Sequence, residues 1–463
     1  MRTTGSRPAA PRGGFSSSFG ALAATLGSAV GLGNIWKFPS LTGANGGAGF
    51  LLVYLLATLL IGLPVMIAEI TMGRQARANP ISALRQLTPE DARLPWWLIG
   101  VAGVAAALLI LSFYSEVVAW VFAYMFKALT GNLLHADPGR TQATFDALIA
   151  SPLQTVLWQW AVLVFISAIL LMGVRGGIEA MTRKLMPLLF VLLLLLGAYS
   201  LTLPGTAQAL AFLFKPEWSR ITPAVVLTAM GLAFFKLSIG IGTMMTYGSY
   251  FTPGQNIPAT ATRVMLADLG VSLLAGMAIF PAVFSLGFAP SAGPALVFIT
   301  IPAVFAQMPG GAVLLAVFFV LTAIAATGAM LSIMEVPVVI LCEHLHWRRP
   351  TAILATLAVL MVLGAGCALS LNLLAHFRPG GRSLFDWADH LSSNLLMPTC
   401  GIALALFVGW VWGDRAFAQA LSSQGRTANA ALARILGWLL RWVTPLLILV
   451  VMLAGLGMLG GAP

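Results

Sequence analysis

Charge is what this sequence most lacks. Only 8% of its 463 residues are ionised, against roughly a quarter in a soluble globular chain, while 59% are hydrophobic and the mean hydropathy is +0.94. So few charges cannot clothe a water-facing surface. A soluble enzyme or binding module is excluded, and the chain reads as a polytopic membrane protein. Cysteine is nearly absent too: Cys342, Cys367 and Cys400 have neither metal-ligand nor disulfide-framework spacing, and read as small buried apolar residues. The 5 histidines fall in or near loops, without metal spacing. No nucleophile or metal set therefore faces a common cavity, which argues against an intramembrane enzyme. Residues 1–14 are basic and rich in Pro, Gly and Ser. No short apolar region with a cleavage site follows, so this end reads as a cytoplasmic tail and not a signal peptide.

Long apolar runs are what the chain has instead. They fall at about 19–43, 48–72, 95–129, 154–173, 185–203, 222–250, 259–288, 311–342, 351–373, 386–412 and 437–459. At about 20 residues per crossing, these predict eleven spans. With the N-terminus inside, seventeen Lys and Arg fall in the inner loops and six in the outer ones, and Lys37 and Lys236 lie within spans. That bias orients the N-terminus in the cytoplasm and, with an odd span count, the C-terminus outside. It also accounts for the net charge of +11 without any nucleic-acid partner.

The first span is interrupted. Gly27-Ser28-Ala29-Val30-Gly31-Leu32-Gly33-Asn34-Ile35-Trp36-Lys37-Phe38-Pro39 sets three glycines and a proline inside a membrane-length segment. Each glycine costs about 1 kcal/mol against alanine in a helix. Backbone that leaves the helix at membrane depth is tolerated only where protein or a wet cavity satisfies it. A small-residue packing face is the plainer reading of this stretch alone. The sixth span repeats the pattern in Phe234-Phe235-Lys236-Leu237-Ser238-Ile239-Gly240-Ile241-Gly242. Two interrupted helices at matching places in two five-span halves predict an inverted-repeat transporter with a midplane substrate site. The expected organisation is a tail (1–18), a first repeat (19–203), a second repeat (204–414) with an outer hairpin at 288–311, for which a twelfth span is the rival reading, and an inner loop with an eleventh helix (415–463).

These residues resemble the signature of the neurotransmitter:sodium symporter family, whose bacterial members share the leucine-transporter (LeuT) fold. Further matches are Asn45-Gly46-Gly47, Pro64 with Glu69 and Met72-Gly73-Arg74, Phe113-Tyr114 with Trp120, Thr246-Tyr247-Gly248-Ser249-Tyr250, and Asp386 with Asp389. The resemblance implies an all-α fold of the 5+5 inverted-repeat type, with eleven transmembrane helices of which the first and sixth are unwound at mid-membrane. It implies secondary transport of amino acids across the bacterial inner membrane by alternating access. Tyr114 resembles the tyrosine that holds the substrate carboxylate, and Ser28, Ala29, Gly31 and Gly33 the first-span stretch around the substrate's polar groups. Phe235 resembles the aromatic lid. Ile110, Lys236, Ser238, Ile241, Ala329 and Ile333 complete the implied lining. Lys37 and Asp389 match an outer gate, and Arg12 and Glu343, with Tyr250 beside them, an inner one.

The departures from the family pattern fall on its ion sites. The first sodium site is implied at Ala29, Asn34, a sixth-span hydroxyl and a seventh-span asparagine, but those last two positions hold Lys236 and Asp268. An ammonium has three donors and no acceptor, so it cannot ligate sodium; it can replace it, still available to the substrate carboxylate, and an acid within reach makes the pair expected. The second site is implied at Gly27, Val30, Ala325 and two adjacent hydroxyls, here Gly328 and Ala329. Sodium coupling is therefore doubtful and no other metal or cofactor is expected. Chloride is not supported: Tyr54 and Ser272 match its site but Leu232 does not. Asp268 and Glu116 are candidate proton carriers. The expected function is sodium-independent transport of neutral, apolar amino acids, with Lys236 in place of the first ion. The alternatives are a conventional sodium-coupled symporter and a transport-incompetent amino-acid sensor. Small-molecule substrate and lipid are the expected partners, and oligomeric state is left open.

Overall fold

The computed structural model describes residues 14–133, 137–287, 296–422 and 429–458, and every regular element among them is helical. Local sequence sets where the helices begin. Ser17, Asn79, Ser151, Thr222 and Asn256 each accept a backbone N–H at a helix start, and Asn79, Ser151 and Thr222 are followed directly by proline.

The first broken span comprises α1 (Ser18–Ala29) and α2 (Gly33–Ala44), bent by 53°. Then come α3 (Ala48–Ala76), a short α4 (Pro80–Leu87), α5 (Leu98–Leu129), α6 (Pro138–Ala150), α7 (Pro152–Leu171) and α8 (Val174–Ser200). The second half runs through α9 (Thr206–Phe214), α10 (Pro223–Lys236), α11 (Thr243–Gly248), α12 (Ile257–Ser285) and α13 (Leu296–Ala306). It ends with α14 (Gly311–His344), α15 (Arg349–Leu369), α16 (Leu384–Trp412), α17 (Asp414–Leu421) and α18 (Ala430–Gly455). Among the described residues nine helices are long and apolar enough to cross a bilayer, ten when α1 and α2 count as one.

The remaining apolar run, 222–250, is divided. Its halves α10 and α11 are separated by Leu237–Gly242, where Ser238, Gly240 and Gly242 have φ of 52°, 79° and 77°. That left-handed backbone suits glycine and strains serine. Ser238 is held there by its hydroxyl, which donates to the Ser28 carbonyl of α1 at 2.9 Å.

Two boundaries differ from the sequence reading. The fifth span starts at Val174 and not at 185, and the eleventh at Ala430 and not at 437. Arg183, Lys184 and Arg434 stay inside these helices, because arginine and lysine are good helix formers and leave the apolar region without ending the helix. Of the outer hairpin, 288–295 lies outside the described residues. Its helix α13 lays Phe298 against Trp120 and Tyr124 of α5, at centroid distances of 5.9 and 5.1 Å. Leu157, Val164, Leu195 and Val362 face outward, as lipid contact allows, while α5 and α14 run through the middle of the bundle.

Candidate substrate and ion site

The breaks in the two spans meet. Around them lies a cavity lined by Ser28, Ala29, Gly31, Gly33, Ile110, Tyr114, Phe235, Lys236, Ser238, Ile241, Ala329 and Ile333. The structure thus brings together all twelve residues of the expected lining, and adds Met397 of α16. Nothing in the sequence marked Met397, an apolar residue in an apolar span. Tyr114 and Phe235 are half-buried, whereas Ser28, Ile241 and Ile333 are buried.

Helix ends give the cavity its polarity. The carbonyl-rich C-termini of α1 and α10 point at it, and so do the N–H-rich starts of α2 and α11. The Tyr114 hydroxyl accepts from the Leu32 N–H at 3.3 Å, which leaves its own proton for an anionic group. The Ser28 hydroxyl, buried and without a hydrogen-bond partner, adds a further polar atom at the α1 end. A zwitterion fits this arrangement, carboxylate toward α2 and Tyr114, ammonium toward the carbonyl ends. The walls are apolar.

Beside the cavity lies a buried ion pair. Lys236 Nζ is 2.9 Å from Asp268 Oδ2, with both side chains fully buried. The ammonium also donates to the Tyr54 hydroxyl at 3.0 Å and to the Ser272 hydroxyl. All three of its protons are therefore used. Asn34 closes the cluster by donating to Asp268 Oδ1 at 2.7 Å and to the Ser272 hydroxyl at 3.0 Å, while its Oδ1 accepts from the Gly31 N–H at 3.2 Å. This corrects one expectation: Lys236 has no proton left for a substrate carboxylate, and it borders the cavity with its alkyl stem, whose Cγ lies 3.3 Å from where a Gly33 Cβ would be. Tyr54 and Ser272, expected at an anion site, are ligands of the lysine.

These donor sets do not fit sodium. At the first position an ammonium takes the place of an oxygen ligand, and the carboxylate beside it is engaged by that ammonium and by Asn34. At the second, α1 and α14 touch: a Cβ on Gly328 would lie 2.7 Å from the Gly27 carbonyl oxygen, and one on Gly31 3.0 Å from Ala329 Cβ. Val30 and Ala325 are buried apolar residues alongside. Thr327, the hydroxyl residue next to Gly328 in the chain, turns back onto the Ala323 carbonyl of its own helix at 2.8 Å.

The outer gate residues are placed differently from expectation. Lys37 Nζ stands 3.9 Å over the Phe235 ring, and Asp389 accepts from Ser393 at 2.8 Å, so the two do not form an ion pair. Arg12 lies outside the described residues. Glu343 accepts from the Asn79 N–H and side-chain amide at 2.9 and 2.7 Å. Tyr250 donates to Glu335 at 2.7 Å, and Glu335 is paired with Arg349. Glu69 accepts from the Gly240 N–H at 2.6 Å, which ties α3 to the break in the sixth span. Glu116 is buried away from the cavity: Trp120 donates to one oxygen at 2.7 Å and the other has no hydrogen-bond partner.

Broken helices converging on one cavity in a bundle of membrane-length helices define a class, that of multi-pass secondary transporters. The comparisons specify it further. A family model described as the Sodium:neurotransmitter symporter family matches residues 12–147 and 148–459. A protein described as the uncharacterized sodium-dependent transporter YhdH of Bacillus subtilis (strain 168) is 37% identical over 447 residues, covering 96% of this chain and 98% of that protein. A similarly described transporter of Haemophilus influenzae is 33% identical, covering 93% and 95%. The crystal structure of MhsT in complex with L-phenylalanine superposes with a TM-score of 0.87 at 39% identity, covering 96% of this chain and 100% of that one. The chain belongs to the sodium:neurotransmitter symporter family. It is a membrane transporter and not an enzyme.

Proposed function

We infer that the protein carries neutral, apolar amino acids by alternating access, and does so without sodium, its Lys236–Asp268 pair standing where the first ion would. The carrying observation is the buried 2.9 Å contact between Lys236 Nζ and Asp268 Oδ2, with Tyr54, Ser272 and Asn34 completing its hydrogen bonds. A fixed charge pair of this kind organises α2, α10 and α12 permanently, so no external cation is needed to assemble the cavity. Substrate class rests on the helix-end polarity, the Tyr114 donor and the apolar walls of Ile110, Ile241, Ile333 and Met397. The phenylalanine bound by MhsT, a relative over the whole chain, supports the same class. The excess of basic residues in alternate loops supports an inner-membrane orientation with the N-terminus cytoplasmic and the C-terminus outside, which protease access to a C-terminal tag checks.

The names of the relatives favour a second reading, a conventional sodium-coupled symporter. Proton coupling is a third element to separate: Asp268 is committed to Lys236, and Glu116 lies outside the cavity. Uptake of labelled amino acids into proteoliposomes distinguishes these, with sodium present, with sodium replaced by potassium, and under an imposed pH gradient. Equal uptake in sodium and potassium supports the proposal. Strict sodium dependence overturns it, and stimulation by inward protons alone assigns the coupling to H+.

A further inference from the structure

Glu116 takes no part in the cavity or in its ion pair. Ser112, Glu116 and Trp120 follow one another at intervals of four on one face of α5. All three are buried, and so are Gln159 of α7 and Cys367 of α15. The Trp120 indole N–H donates to Glu116 Oε1 at 2.7 Å. Gln159 Nε2 donates to the Ser115 hydroxyl at 3.1 Å and to the Ser112 carbonyl at 3.5 Å. The Ser115 hydroxyl donates to the Ser112 carbonyl at 3.2 Å, and the Ser112 hydroxyl to the Leu109 carbonyl at 2.6 Å. The Cys367 thiol donates to the Ser112 hydroxyl at 3.6 Å.

Every side-chain donor in this cluster is thereby engaged, and two acceptors are left over. Glu116 Oε2 and Gln159 Oε1 have no hydrogen-bond partner among the described residues. The cluster is short of one proton, and it has no cation. Lys127, the other charged residue of α5, is eleven residues on, about 16 Å along the helix. α7 and α13 contain no charged residue. On α14 and α15, Glu335 and Arg349 are paired with each other. Glu343 and His344 lie at the far end of α14, beside Asn79 and Ser82. On α16, Asp386 accepts from Ser383, Asp389 from Ser393, and His390 is bonded to Asn394. On α6, Arg140 and Asp146 are exposed. Cys367 is the titratable member of the cluster besides Glu116, and its thiol is already a donor. A carboxylate at membrane depth with one donor and no cation is costly, and a carboxyl so placed takes up a proton instead.

We propose that Glu116 is a proton-binding site: its carboxyl is neutral, and the proton on Oε2 supplies the donor that the cluster lacks. Trp120 covers the site. Its ring packs against Phe145 of α6, Phe298 of α13 and Phe385 of α16, at centroid distances of 5.3, 5.9 and 6.1 Å. On the other side, α7 and α15 turn side chains such as Leu157 and Val362 outward, as lipid contact allows. The packed bundle therefore holds one proton more than any form in which Glu116 meets water. A movement that lifts the aromatic cover and wets the carboxyl releases that proton, so acid favours the packed form. Glu116 lies outside the cavity, and the inference rests on neither the substrate nor the ion assignment.

Infrared spectra of the purified full-length protein at neutral pH read the proton directly, through the C=O stretch of a neutral carboxylic acid. Glu116→Gln keeps the shape of the side chain and the acceptor for Trp120, but it has no such group. The native spectrum should contain an acid band that the variant lacks. Stability against pH gives a second reading. A glutamate in water is ionised above about pH 4, so the unfolded chain binds one proton fewer than the folded one. As pH rises, the native protein should shift toward unfolding by about tenfold per pH unit relative to Glu116→Gln, until the folded site itself ionises. The melting temperature of Glu116→Gln should therefore gain on that of the native chain between about pH 5 and 7. Native and variant spectra that coincide in the acid region overturn the proposal. So does a gap in melting temperature that stays constant with pH, because Glu116 would then be ionised in the folded protein, with a water in place of the proton.

Discussion

At the scale of single residues, Lys236 and Asp268 decide the chemistry of the site. A buried ion pair is weak evidence for net stability, but removing one partner strands the other's charge and costs about 3–5 kcal/mol. Lys236→Met and Asp268→Asn should each lower thermal stability by that order, and the double variant should cost far less than the sum. Thermal unfolding of the four proteins measures this coupling. Additive losses would mean the two groups act independently, against their 2.9 Å contact. The same pair explains why Tyr54 and Ser272 remain although the anion site they resemble is incomplete. Each spends its oxygen on the ammonium.

At the scale of elements, the break points were legible in the sequence because glycine at membrane depth has few uses. Gly31 and Gly33, and Gly240 and Gly242, marked where α1–α2 and α10–α11 come apart, and the side chains flanking them line one cavity. What the sequence did not carry was the distance between helices. Lys37 and Asp389 match a gate pair by position, yet the lysine leans on Phe235 instead. The loss of hydroxyls at 328 and 329 was visible as chemistry. That the helices close over the gap was not, since a glycine's missing Cβ has meaning only against the Gly27 carbonyl it faces. Restoring a hydroxyl therefore meets a steric obstacle. Gly328→Thr should destabilise the protein by about 1–3 kcal/mol through overpacking, and sodium should not restore its melting temperature. A stable variant with a sodium-dependent melting temperature would mean that α1 and α14 part readily to admit the ion.

At the scale of the whole molecule, the fold of a sodium symporter family encloses a charge pair of its own. Alternating access requires that the cavity be assembled in one state and opened in another. On the proposed reading, the Lys236–Asp268–Asn34 contacts build the assembly of α2, α10 and α12 into the chain. On that reading, coupling to a sodium gradient has no structural handle, whereas the cavity keeps two broken helices, Tyr114, and an apolar wall completed by Met397. The most direct measurement of this claim is equilibrium binding of a labelled apolar amino acid, with phenylalanine the first choice, to the purified protein in sodium and in potassium. The account predicts the same affinity in both salts for the native chain, and a sodium-dependent affinity once Lys236→Thr and Asp268→Asn are combined. Loss of binding by the native chain when sodium is withdrawn would contradict it.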